Sequence, residues 1–284
     1  MKTIVPYIHV IRPGNALMAG CAVLLGFWLS NAHGISDLLL LTIAAVSATG
    51  FGNIINDIKD LPSDRISHPD RPLVTGNLKL KNAWIYLIAL GLLSLAVSSG
   101  VSRYHLLATL LPLLFLILYA RWLKGTPLIG NVLVALLVAY PLLFGGLTAV
   151  AFNRLLIPAA LAFLLNLSRE IVKDVQDEQG DTHAGLSTSA SVPVPLLKGI
   201  VFTTGVIYLI LLFLPYLFHQ FGFAYLLICS GAVLPIHCLW NGQFFSKTWR
   251  SDLKSISGLI KLEMIFGLIA LAVDQVLAIL SIVK

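Results

Sequence analysis

Long apolar runs alternate with short polar connections along this chain, at a spacing that suits a lipid bilayer. Counted at about 20 residues per crossing, the runs fall at 14–32, 36–56, 82–100, 105–121, 127–150, 154–173, 196–217, 222–241 and 257–282. They are continuous rather than alternating every second residue, which excludes the roughly ten-residue strands of a transmembrane β-barrel. The pattern predicts an all-α, polytopic membrane protein with about nine transmembrane helices around a central cavity, organised as one domain over residues 1–284. Composition sharpens this: 58% of residues are hydrophobic and 11% charged, against about 25% charged in a soluble domain.

The connections carry the charge unevenly. With the N-terminus on one side, Arg103, Arg154 and Lys284 fall on the far side and every other Lys and Arg, from Lys2 to Lys261, on the near side. Positive charge is retained in cytoplasmic loops, so the near side, with the N-terminus, is expected to be cytoplasmic in a multi-pass protein of the cell membrane. The net charge of +6 then reflects topology. No nucleic-acid-binding motif accompanies it, and no nucleic-acid partner is expected. The first run follows Arg12-Pro13-Gly14-Asn15 with no small-residue cleavage site close behind, so it reads as a retained helix. Cys21, Cys229 and Cys238 all lie in apolar runs, and no disulfide is expected.

Nine of the thirteen acids sit in two stretches, 57–70 and 170–181. Each stretch carries three aspartates at one spacing: Asn56-Asp57-x-x-Asp60-x-x-x-Asp64, and Asp174-x-x-Asp177-x-x-x-Asp181. At about 100° per residue, these positions share roughly a 60° arc of one helix face. A charge at the bilayer centre costs about 2.5–3.5 kcal/mol, so such a face must meet water, a cavity or a cation. Solvated charges just outside the membrane would account for one such segment. Two with identical spacing, each ending an apolar run, point to a shared ligand. Bunched carboxylates repel one another unless a cation neutralises them, and hard oxygen donors of this kind suit Mg²⁺ shared with a substrate phosphate.

Basic residues flank the acids. Arg65, Arg71, Lys124, Arg169 and Lys173 are candidate phosphate contacts, whereas Lys79, Lys81, Lys198 and the 247–254 cluster read as topology. Turn-forming loops follow both acidic segments, at 68–76 and 180–188. His68 and His183 lack a metal-ligand spacing and read as loop residues. Pro62 should kink the first segment and re-aim Asp64. Asn131, one turn inside a helix beginning near Pro127, is either interhelical glue or a cavity ligand.

These segments resemble the UbiA superfamily of intramembrane prenyltransferases. The resemblance rests on the motif at 56–64, the Arg-Pro-Leu-x-x-Gly turn at 71–76, the second motif at 174–181 and the helix count, and so spans essentially the whole chain. It implies an enzyme that binds an allylic prenyl diphosphate through Mg²⁺ and transfers the prenyl group to an acceptor in the membrane. Asp57, Asp60, Asp64, Asp174, Asp177 and Asp181 would be the metal ligands, with Asp57, Asp60, Asp174 and Asp177 central to catalysis. Asn15, Asn56, Arg65, Arg71, Lys124, Asn131, Arg169 and Lys173 would contact substrate. Pro62 departs from the usual first motif. The stretches 11–20, 123–131 and 169–181 look most like a branch that adds a geranylgeranyl group to the hydroxyl of geranylgeranylglyceryl phosphate, forming an ether lipid. An aromatic or quinone-precursor acceptor is the competing expectation. An ion-coupled transporter is a third, disfavoured because the acids cluster at one membrane face rather than at broken helices near the midplane. Glu170 is a candidate general base only by proximity.

Overall fold

The computed structural model describes residues 4–283, and every regular element among them is helical. Among the described residues, nine long helices correspond to the apolar runs: α1 Pro13–Leu29, α2 Ile35–Lys59, α3 Leu80–Ser99, α4 Arg103–Leu123, α5 Ile129–Gly145, α6 Leu156–Gln176, α7 Val194–Leu217, α8 Phe223–Phe245 and α9 Leu253–Val283. Seven are long and apolar enough to cross a bilayer. The other two, α1 and α5, have 17 residues each. At 1.5 Å per residue they reach about 25 Å, short of a hydrocarbon core of about 30 Å. Of the far-side charges counted in the sequence, Arg103 opens α4 and Arg154 lies just before α6. Lys2 and Lys284, used in that count, lie outside the described residues.

Local sequence explains where the helices start. Pro13 supplies a preset φ at the head of α1. Ser102 caps α4 by accepting a hydrogen bond from the His105 amide at 3.2 Å. The fifth helix begins two residues later than Pro127 suggests, because Leu128 adopts a left-handed φ of 65°.

Helices α1 and α5 cross at glycine. A Cβ on Gly26 would strike the Leu142 carbonyl oxygen, and one on Gly145 the Val23 carbonyl oxygen. In lipid, where apolar burial drives little association, such close backbone approach is a main source of packing energy. From this pair the bundle closes into a ring. α1 also packs on α2, α5 on α6, α6 on α9, and α9 returns to α1; α3 and α4 buttress α2 from outside, while α7 and α8 back α6 and α9. Leu92, Leu107, Phe202 and Ile210 are exposed on the outer wall, where lipid replaces a protein partner. The three cysteines are free.

Candidate functional site

Both acidic segments are built to one plan. Helix α2 ends at Lys59, Asp60 sits at the junction, and a short helix Leu61–Ser67 turns away with Asp64 in its first turn. Helix α6 ends at Gln176, Asp177 sits at the junction, and a short helix Glu178–His183 carries Asp181 in its first turn. The expectation of one continuous helical face is therefore corrected. Each motif bends after its second aspartate, and only the first bend has a proline to explain it. Hydrogen bonds carry across both bends, from the Asp64 amide to the Asp60 carbonyl (2.8 Å) and from the Asp181 amide to the Asp177 carbonyl (3.0 Å).

The two short helices pack against each other. Gly180 permits it: a Cβ there would meet the Ser67 hydroxyl and lie 2.7 Å from the Ser63 carbonyl. The packing brings the two motifs to the mouth of one cavity of about 730 Å³, lined there by Asn56, Asp60, Asp64, Asp174, Asp177 and Asp181. His68, which the sequence presents as a loop residue, bridges the motifs with Nε2 3.3 Å from Asp177 Oδ1.

Four of the five aspartates that line the mouth are held by a neighbouring donor. Arg71 pairs with Asp64, and Lys124 pairs with Asp60. Asp174 accepts from Asn131 Nδ2 (2.9 Å) and from the Ser189 amide (3.0 Å). Ser189 Oγ donates to Asn131 Oδ1 at 2.5 Å and accepts from the Leu128 amide at 3.1 Å, which locks the loop between α4 and α5 onto the end of α6. Burial pushes the Asp64 carboxyl up to about 6 against the pull of Arg71, and pushes Asp181 up to about 6 against that of Lys124. Burial acts on Asp177 in the same sense, but the hydrogen bond and charge of His68, with Lys173 and Arg71 beyond, hold it below the usual carboxylate range.

Three candidates sit differently from their expectation. Asp57 is 2% exposed and lies behind the cavity wall, where it accepts from Arg12 Nη2 at 2.5 Å and pairs with Arg71 at 3.3 Å. It clamps Arg12, whose φ of 52° is strained for a residue with a Cβ. Asn131 is likewise outside the cavity lining and orients Asp174 instead of meeting a ligand. Arg65 is exposed and off the cavity, because one step along the short helix turns it about 100° from Asp64. Asn15, Arg71, Lys124, Arg169 and Lys173 do face the cavity.

Deeper in, the lining becomes apolar: Ala45, Leu116 and Val138 on one side, Leu161, Leu212 and Leu268 on the other. Residues the sequence reading did not single out also line it, among them His9, Asn53 and Lys261. Asn53 lies one helical turn before Asn56, a spacing that could have pointed to it, whereas His9 and Lys261 are far from either motif in sequence and only a three-dimensional neighbourhood reveals them.

Among the described residues, no three His, Cys, Asp or Glu side chains converge into a ready cage for a metal. The donor set nevertheless fits a hard divalent cation shared with a phosphate. Carboxylates from two elements face one cavity, and the Asn56 Oδ1 at its mouth is buried with no partner among the described residues. Mg²⁺ takes one or two protein carboxylates and completes its shell with water and phosphate oxygens, so a closed cage is not required.

A helical ring enclosing an apolar chamber with an acid-lined, cation-balanced mouth defines an integral-membrane enzyme for a molecule with an anionic head and a hydrocarbon tail. The chain belongs to the UbiA prenyltransferase family, whose model matches residues 19–263. It is 34% identical over 270 residues to the digeranylgeranylglyceryl phosphate synthase of Korarchaeum cryptofilum, covering 94% of this chain and 96% of that one. Its fold matches that of a solved digeranylgeranylglyceryl phosphate synthase with a TM-score of 0.78 at 28% identity, over 97% of this chain and 99% of the other. A UbiA homolog from Archaeoglobus fulgidus, bound to GPP and Mg²⁺, shares the fold with a TM-score of 0.65 at 22% identity, over 94% and 99% of the two chains.

Proposed function

We propose that this prenyltransferase transfers a geranylgeranyl group from geranylgeranyl diphosphate to the free hydroxyl of geranylgeranylglyceryl phosphate, with Mg²⁺ as cofactor. The observation that carries the reading is the convergence of two bent aspartate motifs on the mouth of a long apolar cavity. The bond from the allylic carbon to the diphosphate breaks, a bond from the same carbon to the acceptor oxygen forms, and the hydroxyl proton leaves to solvent. Mg²⁺ held there would neutralise charge on the departing diphosphate as a Lewis acid.

Asp60, Asp64, Asp174, Asp177 and Asp181, with Asn56 Oδ1, are the residues that would hold the metal. Arg71 and Lys124 stand beside Asp64 and Asp60, placed to turn toward phosphate oxygens, Arg71 in bidentate fashion. The apolar walls hold the hydrocarbon tail and keep water from the allylic carbon, where positive charge develops as the leaving group departs. Glu170, paired with Arg169 and Lys173 at 3.2 Å each, serves better as their counter-charge than as a base. We also place the N-terminus and the acidic mouth on the cytoplasmic side, on the strength of the charge bias.

Detergent-purified protein supplied with geranylgeranyl diphosphate, Mg²⁺ and geranylgeranylglyceryl phosphate should form the doubly prenylated ether phosphate. A chelator should stop the reaction and added Mg²⁺ should restart it. Prenylation of an aromatic acceptor, with none of the glyceryl phosphate, would overturn the choice of acceptor.

The raised carboxyls give this binding a pH dependence. Protons compete with the metal for Asp64 and Asp181 as pH falls through about 6, because only deprotonated carboxylates ligate. The Mg²⁺ concentration for half-maximal activity should therefore be level above pH 7 and rise below 6, by up to about tenfold per pH unit for each proton displaced. A carboxyl raised by folding contributes stability at low pH and loses it as pH rises through 6. Added Mg²⁺ should accordingly raise the thermal midpoint more at pH 8 than at pH 5. A midpoint shift equal at both pH values would contradict the assignment of these two carboxylates as ligands.

A further inference from the structure

The charges that line the cavity mouth are sorted by side. Toward the ends of α2 and α6 stand the aspartates with Arg71 and Lys124 in attendance. Toward α1, the inner face of α6 and α9 stand Arg169, Lys173 and Lys261, with Glu170 as their one paired acid. Arg12 also reaches this side but is committed to Asp57.

Lys261 has no ion pair among the described residues. It sits eight residues into α9, about 12 Å along the helix axis, half-buried, and it faces the cavity. Its ammonium lies over the start of α1, where a Cβ on Gly14 would be 3.4 Å from Nζ. Arg169 is the neighbouring charge, a second cation rather than a counter-ion, and its Nε is buried with no partner. An unpartnered lysine this far along a membrane helix is costly, and such residues mark ligand sites. Both line the cavity, two like charges call for an anion to offset them, and the chain offers Glu170 to only one of them.

We propose that Lys261 and Arg169 form a second phosphate site, separate from the aspartate motifs, that holds the phosphate of the acceptor lipid while the donor diphosphate occupies the other side of the mouth. The inference rests on the proposed function and deepens it by assigning residues to acceptor recognition. Of the candidate phosphate contacts the sequence offers, Arg71 and Lys124 are engaged on the donor side, which leaves Arg169 for this role. Holding the two anions on opposite walls keeps their charges apart and leaves the acceptor hydroxyl between them.

The test is steady-state transfer by purified Lys261→Met and Lys261→Arg proteins, with donor and acceptor varied separately. Lys261→Met should raise the KM for geranylgeranylglyceryl phosphate about tenfold or more and leave the KM for geranylgeranyl diphosphate within twofold, with Lys261→Arg recovering most of the loss. Glycerol phosphate should compete with the acceptor, not the donor, in the wild type, and compete more weakly in Lys261→Met. An acceptor KM within twofold of wild type in Lys261→Met, or both KM values rising together, would overturn the assignment. If the wild type prenylates only aromatic acceptors, the functional reading fails, and this inference with it, before any variant is made.

Discussion

Asp60→Asn and Asp177→Asn should each lower the turnover of prenyl transfer by at least about 10²–10³-fold, the range found when one preorganised electrostatic contact to a transition state is removed. Both residues sit where a long helix breaks into a short one, and both line the cavity mouth. Asparagine keeps the shape and the hydrogen-bonding reach and removes only the negative charge, so the effect isolates cation binding from packing. Lys124 would then lack its partner at Asp60, and His68 its charged partner at Asp177. Asp57→Asn provides the contrast. Its carboxylate, itself behind the wall, holds Arg12 and Arg71 in place, and its loss should reduce thermal stability, with the Mg²⁺ requirement shifting less. Turnover measured across a Mg²⁺ titration, alongside the thermal midpoint of each variant, separates the cases. Wild-type turnover in Asp60→Asn at saturating Mg²⁺ would remove that residue from the site.

Gly180→Ala should cost about 100-fold in turnover while the bundle stays folded. The added methyl meets the Ser67 side chain, which can rotate, and the Ser63 carbonyl, which cannot. The short helices must therefore separate by a few tenths of an ångström or more, carrying Asp64 and Asp181 apart. Displacements on the order of 1 Å at a catalytic constellation cost about that much. These helices lie at the end of the bundle, so its packing need not change. A companion Gly26→Ala, at the crossing of α1 and α5, should behave oppositely and lower the yield of folded protein, since its methyl would strike backbone. Circular dichroism, thermal midpoint and turnover for both variants would show the split. A Gly180→Ala protein of normal turnover would mean the motifs tolerate more freedom than their packing suggests.

The helical architecture was legible because lipid imposes it: a segment that cannot satisfy its backbone internally cannot cross, so apolar length alone announces each helix. The aspartates were legible because charge in such a setting is expensive and two copies of one spacing are hard to explain otherwise. The bend in each motif was half visible. Pro62 marks the first, but nothing marks the second, at Asp177, where the cause is the docking of Glu178–His183 onto Leu61–Ser67 through Gly180. The separate task of Asp57 depends on Arg12, 45 residues away. His68 and Lys261 looked like a loop residue and a topology charge, because their partners are set by which helix ends meet, and that is written in packing rather than in spacing.

One cavity has a charged end and a hydrocarbon interior. For the proposed reaction this makes the two products sort themselves. Diphosphate, small and highly charged, is soluble only through the mouth from which it can diffuse away with its counter-ions. The new ether lipid carries a second chain, and each methylene is worth about 0.8 kcal/mol when it stays in the membrane. The bilayer is therefore where that product is retained. Separation of the products removes the reverse reaction's two reactants from a common compartment, so the geometry that binds the substrates also makes the synthesis hard to undo.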